Sequence, residues 1–117
     1  MFSSARNSCF AMTFENGWTV SVAFGTGNYC DKRGIGFDDM DEPMRHLGWE
    51  SRTAEIAAWD ANDDWYDFGY DTVKGWCTPE EVAEFIAMVS KFTGDISTIT
   101  QKESEVTHED VYPKEAE

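Results

Sequence analysis

Residues 10–24 alternate large apolar residues with small or polar ones on both sides of Asn16-Gly17. This alternation is typical of half-buried strands and predicts a β-hairpin. A two-residue loop would place Phe14 opposite Thr19 and mix the two faces, because directly opposed residues share a face. A three-residue loop that begins one residue earlier keeps the apolar set together and puts Gly17 where a left-handed backbone is needed. The register we predict pairs Phe14 with Trp18, Met12 with Val20 and Phe10 with Val22.

Residues 52–59 and 65–70 flank the polar turn "DANDD" and predict a second hairpin, in which Trp59 pairs with Trp65 and Ile56 with Phe68. A two-residue turn at Asn62-Asp63 would shift this register and stays open. In the first register one face resembles a core, with Ala54, Ile56, Ala58, Tyr66, Phe68 and Tyr70. The opposite face carries Glu55, Trp59, Trp65 and Asp67. A further strand at residues 72–76 is expected to continue the meander.

Residues 78–92 predict a helix. Thr78 is the expected N-cap, Pro79 the first helical residue and Glu81 the partner that completes a capping box. Gly94 is the expected terminator. Apolar residues at helical spacing form one stripe that we expect to cover the aromatic face of the sheet. They are Val82, Phe85, Ile86 and Val89, extended by Ala83 and Phe92.

These elements predict an α+β fold, with an antiparallel β-sheet of four to five strands in a hairpin meander and one C-terminal helix packed on it. Residues 1–100 are expected to form a single domain and residues 101–117 an acidic, flexible tail. The segment "DISTIT" at 95–100 is compatible with an edge strand. Residues 25–51 predict a long irregular connection with a short helix at 42–47.

The charge of the chain limits its partners. It has 23 acidic and 9 basic residues, a net charge of −14, which repels nucleic acids and anionic membranes and attracts cationic partners. No segment predicts a signal peptide or a membrane span. The cysteines, Cys9, Cys30 and Cys77, have no CxxC spacing, so we expect reduced, mostly buried thiols in a cytosolic protein.

Catalytic groups are sparse. A Cys30–His46 pair is conceivable but has no supporting motif. The acidic segments "DDMDE" and "DANDDWYD" lack the ligand spacing of a calcium loop, and "FGTGNYC" lacks that of a phosphate-binding loop. The sequence therefore predicts a protein that is not an enzyme and that needs neither a cofactor nor a metal.

Acidic residues are concentrated between residues 37 and 71, where eleven acids face only Arg45 and Arg52, a net charge of −9. Carboxylates this close repel one another within the screening length of about 8 Å. A surface that served only solubility would spread these carboxylates out. We therefore interpret their concentration as a continuous acidic ridge for binding a partner, with Trp59 and Trp65 as its aromatic anchors. The alternative for the two tryptophans is a cross-strand pair that only stabilises the hairpin. The predicted partner-binding residues are Asp38, Asp39, Asp41, Glu42, Glu50, Glu55, Trp59, Asp60, Asp63, Asp64, Trp65, Asp67 and Asp71.

The segments "NGWTVSVAFGTGNYC", "AEIAAWD", "WYDFGYDTVKGW" and "TPEEVAEFI" together resemble small acidic proteins of bacteriophages and prophages, of the anti-CRISPR kind. The resemblance covers residues 10–90. It implies an inhibitor that acts in the cytoplasm of an infected bacterium, as a monomer or weak dimer. Its partner would be a basic nucleic-acid-binding protein of a CRISPR-Cas type defence complex, which the acidic surface would block by mimicking nucleic acid.

Two other functions stay open. The glycine-rich loop at 25–37, with Asn28, Tyr29 and Phe37, could form a pocket for a small ligand such as a signalling nucleotide, with Lys32 and Arg33 nearby. An accessory structural role in a phage particle would instead use an apolar patch for assembly.

Overall fold

Five antiparallel strands follow one another across a single sheet in chain order. The structure, a computed structural model, describes residues 1–5, 8–34 and 49–99. One helix, α1, packs against β3, β4 and β5, which confirms the predicted α+β fold. The strands are β1 (Phe2–Ala5), β2 (Cys9–Thr13), β3 (Thr19–Ala23), β4 (Ala54–Trp59) and β5 (Lys74–Cys77), and the helices are α1 (Pro79–Ser90) and α2 (Ile96–Ile99).

The first hairpin has the predicted register. Met12 lies opposite Val20, and Phe10 lies opposite Val22. Beyond the strands the Phe14 N–H donates to the Trp18 carbonyl at 2.8 Å. Gly17 has a φ of 92°, the left-handed conformation that favours a residue without a Cβ. The parity of the apolar residues therefore sufficed to fix both the register and the loop length.

Strand β1 was not predicted. Met1 and Thr13 exchange two backbone hydrogen bonds, of 2.8 and 2.9 Å, and Phe2 lies opposite Met12. The residues of β1 are "FSSA", which contain no alternating run of large apolar side chains. Pairing with the free edge of β2, rather than burial of its own side chains, accounts for this strand.

Helix α1 begins as predicted. The Glu81 N–H donates to Thr78 Oγ1 at 3.2 Å, and the Thr78 N–H donates to Glu81 Oε1 at 2.9 Å, so the capping box is complete. Two details of the prediction were wrong. Ala83 is exposed rather than buried. The helix ends at Ser90 with Lys91 as its cap, and the Gly94 carbonyl instead accepts the indole N–H of Trp18 at 2.7 Å.

The core lies between the sheet and α1. Trp18 is completely buried, and its ring meets that of Phe92 edge-on at 4.9 Å between centroids. The ring of Tyr66 meets Phe68 at 5.0 Å and Phe85 at 5.8 Å. Edge-to-face pairs of this kind contribute about 0.5–1.5 kcal/mol each beyond the area that they bury.

The second hairpin is partly as predicted. Trp59 and Trp65 form an antiparallel bridge, and the Tyr66 N–H donates to the Ala58 carbonyl at 2.8 Å, which confirms the first of the two registers. The chain then leaves the sheet, so the residue opposite Ile56 is Lys74 of β5 rather than Phe68.

Two further predictions for this segment need correction. Phe68 is buried as expected, but the side chain of Tyr70, which was assigned to the core, is 63% exposed. The strand expected at 72–76 lies at Lys74–Cys77 and pairs directly with β4.

Within the segment "DISTIT", the described residues Ile96–Ile99 are helical and do not form an edge strand. The Asp95 carboxylate accepts the backbone N–H of Ser97 at 3.1 Å, as an acidic residue before a helical turn commonly does. Ile99 at the end of α2 is buried. The helix predicted at 42–47 and the tail at 101–117 lie outside the described residues. Of the cysteines, Cys30 and Cys77 are buried and Cys9 is half-buried, which agrees with the prediction of mostly buried thiols.

Candidate functional site

The segment of residues 60–73 joins β4 to β5, and we call it the acidic connector. It contains no lysine or arginine. Its exposed residues include four carboxylates and two aromatic side chains, Trp65 at 44% and Tyr70 at 63% exposed. The exposed carboxylates are Asp63, Asp64, Asp67 and Asp71. The connector therefore presents negative charge and aromatic surface together.

The fifth acid of the connector, Asp60, faces inward. Its side chain is only 2% exposed, so it does not lie on the outward ridge where the sequence predicted it. Oδ1 accepts the N–H groups of Asn62 and Asp64, both at 2.9 Å. Oδ2 accepts the N–H of Ile96 at 2.9 Å, which ties the connector to the first residue of α2. Asp60 is thus a structural anchor for the exposed acids.

The electrostatics of Asp60 agree with this role. Burial raises the pKa of its carboxyl, but the backbone N–H groups of Ile96, Asp64 and Asn62 outweigh burial and lower the pKa below its ordinary value. The carboxylate is therefore ionised at neutral pH. Its backbone makes further bonds within the turn: the Asp60 N–H donates to the Asp64 carbonyl, and the Asp63 N–H donates to the Asp60 carbonyl, both at 3.0 Å.

Trp59 and Trp65 stack across the start of the connector. Their ring centroids are 4.9 Å apart and the ring planes differ by 29°. Trp59 is half-buried, while the side chain of Trp65 is exposed to solvent. The two tryptophans therefore form the stabilising cross-strand pair that the sequence allowed as an alternative. The same stacking holds the exposed ring of Trp65 in one orientation.

The structure does not bring all the predicted site residues together. Glu55 lies near the opposite end of β4 and accepts the Tyr29 N–H at 3.0 Å, and Glu50 precedes that strand. Asp38, Asp39, Asp41 and Glu42 lie outside the described residues. The described surface is accordingly smaller than the predicted ridge. It consists of Asp63, Asp64, Trp65, Asp67 and Asp71, supported by Trp59 and Asp60.

A second exposed aromatic group was missed by the sequence analysis. Trp76 is 53% exposed and has a φ of 50°, which is strained for a bulky residue. Its ring lies 5.6 Å from that of Tyr29, and the guanidinium of Arg33 lies 4.3 Å from the Tyr29 ring. Gly75 is the sequence feature that could have indicated this irregularity, because a glycine within a strand often marks a bulge or a close approach of two backbones. The register of β4 and β5 does shift at this point.

The proposed small-ligand loop is occupied by internal contacts. The Asn28 side chain accepts the Gly25 N–H at 2.8 Å. The backbone of Tyr29 bonds to Glu55, and its carbonyl accepts the Trp76 N–H at 2.8 Å. Phe37 lies outside the described residues. In the part that the structure describes, this loop therefore packs against β4 and β5 rather than enclosing a pocket with these side chains.

Little in the described residues favours catalysis. The Cys30 thiol is buried and lies 3.4 Å from the Gly25 carbonyl, while His46 is not among the described residues. Within 1–5, 8–34 and 49–99, no group of three or more Cys, His, Asp or Glu side chains is arranged to hold a metal ion. Neither helix in this part of the chain has the length and hydropathy required to cross a membrane.

Comparison with protein-family models, curated proteins and solved structures finds no match to this chain.

Proposed function

We propose that this chain is a binding protein that occupies a basic nucleic-acid-binding site on another protein through its acidic connector. The resemblance to small phage proteins suggests the setting: a phage-encoded inhibitor in the cytoplasm of an infected bacterium, directed at a defence complex of the CRISPR-Cas type. Inhibition would be steric and electrostatic, without turnover. The observation that carries the proposal is the set of exposed carboxylates beside Trp65 on a segment without cations.

The charge density of the connector suits such a partner. Residues 63–71 hold four exposed aspartates within nine residues. Charges that lie within about 8 Å of one another are little screened at physiological salt, which applies most directly to the adjacent residues Asp63 and Asp64. Duplex DNA carries about one charge per 1.7 Å of its axis, and a groove lined with Lys and Arg is suited to charge of that density. The net charge of −14 would also accelerate encounter with a basic surface.

The connector is also ordered before it binds. The Asp60 side chain accepts two backbone N–H groups within the connector and one from α2, and Trp59 stacks on the ring of Trp65. A preorganised segment loses less conformational entropy on binding than a flexible acidic tail does. An exposed, fixed Trp is the residue type that most often dominates the energy of a protein interface.

The experiment compares two variants with the same change in net charge. The connector variant replaces Asp63, Asp64 and Asp67 by Asn. The control variant replaces Glu15, Glu80 and Glu84 by Gln, which are exposed acids elsewhere on the chain. Asp60 is retained in both, because its loss would disturb folding.

The wild-type chain is used as bait in bacterial lysate at about 50 and about 300 mM NaCl, and the captured protein is then purified for direct binding. We expect duplex DNA to compete with the chain for that protein and high salt to weaken the complex. We expect the connector variant to bind about tenfold more weakly and the control variant to bind nearly as wild type. Equal losses in the two variants, or a captured protein whose binding DNA does not affect, would contradict the proposal.

A further inference from the structure

An open groove of about 360 Å³ runs along one flank of α1. On the helix it is lined by Val82, Ala83 and Ile86, on the sheet by Phe10 and Val22, and just beyond β3 by Phe24. Phe10, Phe24, Val82 and Ile86 are only half-buried. The volume lies within the range of roughly 300–1,000 Å³ that is common for small-ligand sites.

The charge of this groove differs from that of the rest of the chain. None of its twelve described lining residues is acidic, and Arg52 is the one charged residue among them. The chain as a whole has 23 acids in 117 residues, so two or more would be expected in a random set of this size. The acids of α1 lie off the groove because its lining residues Pro79, Val82, Ala83 and Ile86 form a single stripe at helical spacing.

Arg52 is presented by an ordered turn. Ser51 Oγ donates to the Thr53 carbonyl at 2.7 Å, and Thr53 Oγ1 donates to the Asp31 carboxylate at 2.8 Å. Arg52 itself is exposed and makes no hydrogen bond or ion pair with another described residue. It also lines a neighbouring polar cavity of about 410 Å³, whose other lining residues are Lys32, Ser51 and the acids Asp31 and Glu50. The groove therefore combines an apolar channel with a cationic group that is available to a ligand.

We propose that the groove binds an amphipathic carboxylate, an acyl chain of medium length whose tail lies between α1 and the sheet and whose carboxylate pairs with Arg52. A cationic ligand would have no carboxylate to pair with among the described residues that line the groove. A second copy of a chain with a net charge of −14 would be repelled. Charge complementarity thus selects a ligand with one negative charge and a long apolar part.

The test is a titration of the ¹⁵N-labelled full chain with dodecanoate, followed by amide chemical shifts, at concentrations below micelle formation. Decanoate, dodecanol and dodecylamine are titrated in parallel. We expect shifts confined to residues along the groove. Decanoate, which is two methylenes shorter, should bind about fifteenfold more weakly than dodecanoate, because each buried methylene contributes about fourfold in affinity. Dodecylamine should bind more weakly than either dodecanoate or dodecanol.

Two variants and a control localise the site. Arg52→Gln should weaken dodecanoate binding about fivefold and leave dodecanol unchanged, since an exposed ion pair contributes modestly. Ala83→Leu should fill the groove and abolish binding of both. Ala87→Leu is the matched control, because Ala87 is also exposed on α1 but does not line the groove. Leucine is a strong helix former, so both helix variants should fold.

Three outcomes would overturn the proposal. The first is dodecylamine binding as tightly as dodecanoate, and the second is a shift pattern spread over the whole chain. The third is a ligand-free dimer that Ala83→Leu dissociates, which would make a second copy the occupant.

Discussion

Replacing Asp60 tests whether this single side chain holds the acidic connector in place. Asp60→Ala removes an acceptor that receives three backbone N–H groups, each at 2.9 Å. Asp60→Asn keeps the shape and one oxygen, which can still accept from Asn62 and Asp64. Its amide nitrogen, however, would stand where Oδ2 now accepts the N–H of Ile96, so that a donor would face a donor.

The expected losses follow from these contacts. A hydrogen bond to a charged acceptor contributes about 1.5–3 kcal/mol, and a buried donor left without a partner costs a similar amount. Water can replace part of the loss at the half-buried turn. We therefore expect Asp60→Ala to lower the free energy of unfolding by about 3–5 kcal/mol and Asp60→Asn by about 1.5–3 kcal/mol.

The assay is urea unfolding at neutral pH, followed by far-ultraviolet circular dichroism. Asp64→Asn is the matched control: it changes the same charge in the same turn, but Asp64 is exposed and contributes only its backbone to the network. Its effect should be below about 0.5 kcal/mol. A loss below about 1 kcal/mol for Asp60→Ala, or equal losses for Asp60→Asn and Asp64→Asn, would refute the anchoring role.

The pH dependence gives an independent check. Because the pKa of Asp60 is lower in the folded chain than in the unfolded chain, its contribution is present at neutral pH and is lost as the pH falls through the folded value. The stability difference between wild type and Asp60→Asn should therefore be constant above about pH 5 and narrow below about pH 4. A difference that stays constant into acid would mean that the carboxylate charge does not matter.

Two further positions allow sharp tests by the same unfolding assay. Asn16→Ala should lower the free energy of unfolding by about 2–4 kcal/mol. The Asn16 amide donates to two carbonyls at and just beyond the end of α1, at 2.9 and 3.0 Å, and its oxygen accepts the Trp18 N–H. Asn16→Asp, which retains only the acceptor, should not restore the lost stability. Gly75→Ala would place a Cβ 2.4 Å from the Tyr29 Cβ and 3.0 Å from its carbonyl oxygen, so we expect a loss of about 2 kcal/mol or more and faster proteolysis of the loop at 25–34. Gly27→Ala, where the added methyl meets no atom within 4 Å, should be neutral; an equal effect at both glycines would contradict the steric argument.

The parts of the fold that the sequence predicts well depend on local rules. The first hairpin follows from side-chain parity and one glycine, and the start of α1 follows from the capping box around Thr78. Each rule involves residues only a few positions apart. The same locality explains why the pairing of Trp59 with Trp65 was found, since the turn between them is short.

The parts that were missed depend on contacts between distant residues. After Tyr66 the chain leaves the sheet, and Phe68 reaches the core by packing on Tyr66 and Phe85 rather than by pairing with β4. Phe68 is buried on this irregular path just as it would be on a strand. The alternating sequence pattern therefore cannot distinguish the two structures. β5 then takes the free edge of β4, a choice that depends on the whole sheet.

The candidate site shows the same division between local and distant information. A count of acids locates the connector, but it cannot separate Asp60 from its neighbours, because what distinguishes Asp60 is the N–H of Ile96, 36 residues away. That contact also has a physical consequence for the exposed acids. Carboxylates held together repel one another, which costs stability, and the hydrogen bonds of the buried carboxylate oppose that cost. The inward-facing Asp60 therefore fixes the turn that presents Asp63 and Asp64 at the surface, and this arrangement is what the proposed binding function requires.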